Sequence, residues 1–114
     1  MRRLVLAAAL AGLSGGPAAA HAFLEAASPA AGQNLRAPTH VALQFSERLE
    51  PSFSAVTVSD ETGADVSAGT AVVLGTQMSL ALKPLKPGRY RVVWHAVSVD
   101  THRTEGKYNF LVVP

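Results

Sequence analysis

The residues best suited to bind a metal ion lie at His21 and in the segment SVDTHRTEG, residues 98–106. Asp100 and His102 are two positions apart, so in an extended backbone their side chains project to the same side. A carboxylate and an imidazole that converge in this way form half of a metal site. The same spacing is also typical of a turn aspartate beside an exposed histidine, and spacing alone leaves both interpretations open.

Residues 1–20 have the three parts of a secretory signal peptide. Arg2 and Arg3 supply positive charge, the apolar run Leu4–Leu13 is too short to span a bilayer, and small residues follow it. We therefore expect export by the general secretory pathway to the periplasm. No later segment approaches the roughly 20 consecutive apolar residues of a transmembrane helix.

Two cleavage positions satisfy the rule that small residues precede the cleaved bond. Cleavage after Ala20 removes residues 1–20 and makes His21 the first residue of a single domain spanning 21–114. Cleavage after Ala22 would discard the histidine and place an imidazole in the middle of the recognition triplet. The first position is favoured because its triplet contains only small residues.

A histidine at the very start of a chain can bind one ion twice. The α-amine and the ring Nδ1 of His21 would close a six-membered chelate, and His102 would add a further nitrogen. Asp100 or water would complete a tetragonal set, which is the nitrogen-rich geometry that Cu(II) favours, whereas zinc prefers a tetrahedron. The residues therefore predict a site for one Cu(II) ion.

Charge and cysteine content narrow the function classes. The chain has ten Lys and Arg against eight Asp and Glu, and without Arg2 and Arg3 the two counts are equal at eight. Binding to nucleic acid or to an anionic membrane therefore loses its main support. The chain has no cysteine, so an exported domain must rely on its apolar core rather than on disulfides.

The elements that must position these residues are strands. Short runs that alternate or are apolar, rich in β-branched and aromatic residues, are separated by turn formers. About seven such strands predict an all-β fold, an antiparallel Greek-key sandwich or barrel, with at most one helical turn near residues 47–52. Trp94 is expected to anchor the core, together with three further aromatic residues. The strand segments are AFLEAAS, HVALQF, FSAVTVSD, AVVL, QMSLAL, RYRVVWHAVSV and GKYNFLVV, and the other core aromatics are Phe45, Tyr108 and Phe110.

Three segments together resemble the CopC/PcoC family of periplasmic copper-binding proteins: HAFLEAASPAAG, LQFSERLEPSFSAVTVSD and PLKPGRYRVVWHAVSVDTHRTEGKYNFLV. The resemblance covers essentially all of residues 21–114 and implies a cupredoxin-like or immunoglobulin-like Greek-key sandwich. It places His21, Asp100 and His102 at Cu(II) ligand positions. It also places Glu47 at an acidic position near the site, where it would orient a ligand or the amine by hydrogen bonding. A solvated loop carboxylate is the alternative for Glu47.

Few other methionine or histidine side chains are available as metal ligands. Some members of the family have a methionine-rich loop for Cu(I), but Met78 is the only methionine after the leader. One thioether cannot form a soft cage, so a second site for Cu(I) is not expected. His40 and His95 are expected to be surface or hydrogen-bonded histidines rather than ligands.

The resemblance implies a Cu(II)-binding protein of copper resistance or homeostasis, not an enzyme, and we expect a monomer. It would pass copper to or from a separate CopD-type protein of the inner membrane. Two other function classes stay open. A copper enzyme of the lytic polysaccharide monooxygenase type also has an N-terminal histidine brace, and cleavage after Ala22 would leave a metal-free interaction module.

Overall fold

The computed structural model describes residues 22–114. In that part of the chain, eight strands form two four-stranded sheets, ordered β1-β3-β6-β5 and β2-β8-β7-β4. The helical structure within these residues is a short 3₁₀ helix at Pro51–Phe53. No helix in residues 22–114 is long and apolar enough to cross a membrane. The strands are β1 (Leu24–Ser28), β2 (Asn34–Leu35), β3 (His40–Phe45), β4 (Ala55–Ser59), β5 (Val72–Leu74), β6 (Gln77–Ala81), β7 (Gly88–Val97) and β8 (Arg103–Val112).

The strand order confirms the predicted all-β sandwich. Neighbours such as β1 and β3, β3 and β6, and β4 and β7 are not consecutive in the chain, so the chain crosses repeatedly between the sheets. Such crossings are typical of Greek-key sandwiches. The paired strands are antiparallel except for β2, which is parallel to β8.

The core is built on the alternation of buried and exposed residues along β7. Trp94 and its neighbours at even positions are buried, whereas Arg91 and Val93 face solvent. The ring of Trp94 meets that of Phe45 edge to face, with centroids 5.1 Å apart, which joins the two sheets. Phe45, Trp94 and Phe110 are buried as predicted, and Phe110 stacks on Tyr90 with centroids 5.5 Å apart.

Three details differ from the sequence-based expectation. The structure has eight strands rather than about seven, because the two-residue β2 follows the turn after β1. Strand β8 begins at Arg103 rather than Gly106, since its first residues pair with the end of β7. Tyr108 is only half-buried, and its hydroxyl donates a 2.7 Å hydrogen bond to the carbonyl of Pro29. Burial raises the pKa of Tyr108 to about 12.

A glycine lies directly against Trp94. A Cβ atom at Gly106 would be 2.6 Å from Cζ2 of the indole, closer than side chains can approach. We expect Gly106→Ala to lower the free energy of unfolding by about 1–3 kcal/mol, the usual cost of overpacking. Denaturant unfolding would measure the loss, with the exposed neighbour substitution Lys107→Ala as control. Equal stability of the two variants would contradict this packing.

Candidate metal centre

Asp100 and His102 lie in the connection between β7 and β8 and converge there. Oδ2 of Asp100 is 3.2 Å from Nδ1 of His102, and both side chains are accessible to solvent. A carboxylate on one ring nitrogen fixes the orientation and tautomer of an imidazole. The pair therefore presents the other edge of the His102 ring, which bears Nε2, away from the carboxylate.

The buried residue Ser98 holds this connection in place through its hydrogen bonds. It is 1% exposed, and its hydroxyl donates a short hydrogen bond to Oδ1 of Asp100 and lies 3.3 Å from the His102 carbonyl oxygen. The backbone is closed by a 2.9 Å bond from the Ser98 N–H to the same carbonyl, and Thr101 has a positive φ of 75°. The Ser98 hydroxyl, and then His102, hold the pKa of the Asp100 carboxyl below its usual value, which keeps it ionised.

His21 lies outside the described residues, but the residue that follows it is firmly placed. Ala22 is fully buried, and its carbonyl accepts a 2.7 Å hydrogen bond from Oγ1 of Thr104 on β8. Phe23 is bonded to Ser46 in both directions, with N–H to Oγ and O to N distances of 2.9 Å. Residues 22 and 23 are therefore attached both to β8 and to the loop that follows β3.

Glu47 lies in a loop that packs on the Asp100–His102 connection. The loop is joined to the end of β7 by a 2.8 Å bond from the Glu50 N–H to the Val97 carbonyl. A second bond, of 3.0 Å, runs from the Val99 N–H to the Arg48 carbonyl. Glu47 is half-buried between Ser46 and Arg48, each of which holds a segment of the candidate centre. Glu47 is therefore flanked in the sequence by one residue that contacts Phe23 and one that contacts Val99.

The other candidate ligands lie elsewhere. The Met78 side chain is fully buried in the core, and the exposed His40 ring lies 3.0 Å from the Thr39 hydroxyl at the start of β3. His95 faces away from the core on β7, opposite Glu105. Among residues 22–114, no group of three or more His, Cys, Asp or Glu side chains comes together.

Sequence reasoning missed the residues that hold these segments in place. Ser98 had a usable signal, because it opens the S-x-D-x-H segment two positions before Asp100. Thr104 and Ser46 had none, since their partners Ala22 and Phe23 are 82 and 23 positions away. Only the fold shows that they meet.

A two-sheet sandwich with a carboxylate–imidazole pair between its two longest strands, and with the N-terminal segment attached beside that pair, defines a candidate metal-binding β-domain. Comparison with known proteins identifies the family: the CopC domain profile matches residues 24–113. The chain belongs to the CopC family.

Individual relatives agree with this assignment. Protein YobA of Escherichia coli K12 is 38% identical over 98 residues, covering 82% of this chain and 79% of that protein. Copper resistance protein C of Pseudomonas syringae pv. tomato is 36% identical over 104 residues, covering 83% of this chain and 82% of that protein.

Solved structures show the same fold. CopC from Methylosinus trichosporium OB3b superimposes with a TM-score of 0.76 at 36% identity, covering 82% of this chain and 95% of that one. PcoC from E. coli, described as a methionine-rich copper resistance protein, superimposes with a TM-score of 0.74 at 33% identity, covering 82% of this chain and 100% of that one. This chain has two methionines, Met1 and Met78, and so is not methionine-rich.

Proposed function

We propose that cleavage after Ala20 leaves a mature domain of residues 21–114, which binds one Cu(II) ion in the periplasm. The ligands are the amine and Nδ1 of His21 and a nitrogen of His102, and either the Asp100 carboxylate or water completes the set. The observation that supports this set is the attachment of Ala22, the residue after His21, to β8 two positions beyond His102.

The contacts of the pair suggest how each group acts. Because Asp100 engages Nδ1 of His102, Nε2 is the nitrogen oriented toward a metal ion. Asp100 is ionised and acts either through a direct bond to copper or by orienting this imidazole. Glu47 would accept a hydrogen bond from the His21 amine and direct its lone pair to the ion.

The ligand types favour Cu(II) over Cu(I). Two or three nitrogens with a carboxylate are a set for Cu(II), whereas Cu(I) is selected by thiolates and thioethers. Met78 is sealed in the core, and the chain has no cysteine. We therefore propose one Cu(II) site and no Cu(I) site.

Relatives named for copper resistance favour a copper carrier over the alternative of a histidine-brace oxidative enzyme. In this proposal the protein acts as a monomer in copper resistance or homeostasis. It passes copper to or from a separate CopD-type membrane protein. The exposed position of His102 and Asp100 is suited to such an exchange.

The exported protein tests the proposal directly. Its mass should correspond to a start at His21, and one equivalent of Cu(II) should give a tetragonal electron paramagnetic resonance signal with nitrogen hyperfine structure. His21→Ala, the matched control, should lose part of that structure. A mass that starts at Phe23, or two tightly bound copper ions per chain, would contradict the proposal.

A further inference from the structure

We propose that Thr104 is a positioning residue, which fixes the peptide after His21 and so presents the N-terminal chelate to the Asp100–His102 pair. This inference rests on the proposed function. Its main observation is the 2.7 Å hydrogen bond from the Thr104 hydroxyl to the carbonyl of Ala22. Ala22 is 0% exposed, so no water competes freely for that carbonyl.

Thr104 is well placed for this task because β8 is rigid at that point. It pairs with Ala96 in a β7–β8 ladder of ten residue pairs, and its side chain turns inward beside the buried Ala96. His102 precedes Thr104 by two residues. The segment 102–104 thus contains the proposed ligand His102 and also Thr104, whose hydroxyl holds Ala22 next to the proposed ligand His21.

The N-terminal segment is held from the other sheet as well. Leu24 pairs with Phe45, and the reciprocal bonds of Phe23 with Ser46 continue that attachment by one residue. Ala22 lies just beyond it. The Thr104 hydroxyl therefore ties Ala22, the first described residue, to the sheet whose β7–β8 connection contains His102.

The hydroxyl should matter because chain ends fray unless they are tied down. A chelate that begins at the α-amine needs the first peptide in one place. When a protein is competent to bind for only a fraction of the time, its apparent dissociation constant rises by the inverse of that fraction. Loss of this bond also leaves the buried Ala22 carbonyl without its threonine donor.

Thr104→Val, which keeps the shape of the side chain without its donor, tests the inference in protein recovered after export. We expect Cu(II) affinity to fall about 3- to 10-fold, the usual weight of one hydrogen bond. In the metal-free protein, an aminopeptidase should remove His21 faster by a similar factor. Thr104→Ser should restore both values, and Thr57→Val, on the exposed face of β4, should change neither.

The trimming rate separates this inference from the proposed function, because it needs no copper. If the parent protein does not bind Cu(II), the proposed function fails, while faster trimming of Thr104→Val alone would still support the attachment. Wild-type trimming and affinity in a folded Thr104→Val protein would overturn the inference. If valine prevents folding, Thr104→Ala against Thr104→Ser decides by the same two measurements.

Discussion

A mature chain with one glycine added before His21 should lose Cu(II) affinity by a margin comparable to that of His21→Ala. The addition keeps the imidazole but converts the α-amine into an amide, whose nitrogen binds copper only after losing its proton. The proposed six-membered chelate is then broken, although every side chain is still present. Because a ligand is lost, we expect more than the about 10–100-fold decrease that is typical for partners outside the ligand set.

The attachment of Ala22 makes this test more decisive than it would be if the N-terminal segment were a flexible tail. Ala22 is buried and bonded to Thr104, so an added residue must extend beyond a fixed point instead of sliding into register. A glycine added after Pro114 is the matched control, since it lengthens the chain at the other end. Competition against a Cu(II) chelator measures all three proteins. A glycine-extended protein that binds as tightly as the authentic His21 start would show that the free amine is not a ligand.

The strands that were predictable from sequence are those with a buried face. In β7, Tyr90, Val92, Trp94 and Ala96 alternate with exposed residues, and this period of two is visible in the sequence. The first residues of β8, Arg103–Glu105, have no such pattern because their pairing is set by the hairpin with β7. The two-residue β2 is too short to show any period.

The candidate site divides in the same way. Asp100 and His102 do converge, but in a turn where Thr101 has a φ of 75°, so the extended backbone assumed from their spacing is not what brings them together. The Thr104–Ala22 bond depends on how two sheets stack, and no local rule predicts contacts between residues 82 positions apart. The role of Ser98 could be recognised only once its burial was known, because water would compete for the hydrogen bond of an exposed serine in the same motif.

His102→Ala should be the most damaging single substitution within the described residues, because it removes the nitrogen that we propose to lie opposite the His21 chelate. Asp100→Ala should cost less, about 10–100-fold, because water can replace a carboxylate oxygen while the loss of the Nδ1 contact leaves the ring less well oriented. Competition titration and the nitrogen hyperfine pattern would distinguish the two. Only His102→Ala should lose a nitrogen coupling.

Two histidines of this chain are matched controls for that comparison. His40 is exposed beside Thr39, and His95 lies opposite Glu105 on the outer face of the sheet. Their alanine variants should bind Cu(II) as the parent does, since neither ring lies in the β7–β8 connection. The fold should persist in all four variants, because the core around Trp94 and Phe45 does not contain these side chains. A loss for His95→Ala equal to that for His102→Ala would mean that copper binds on the outer sheet face instead.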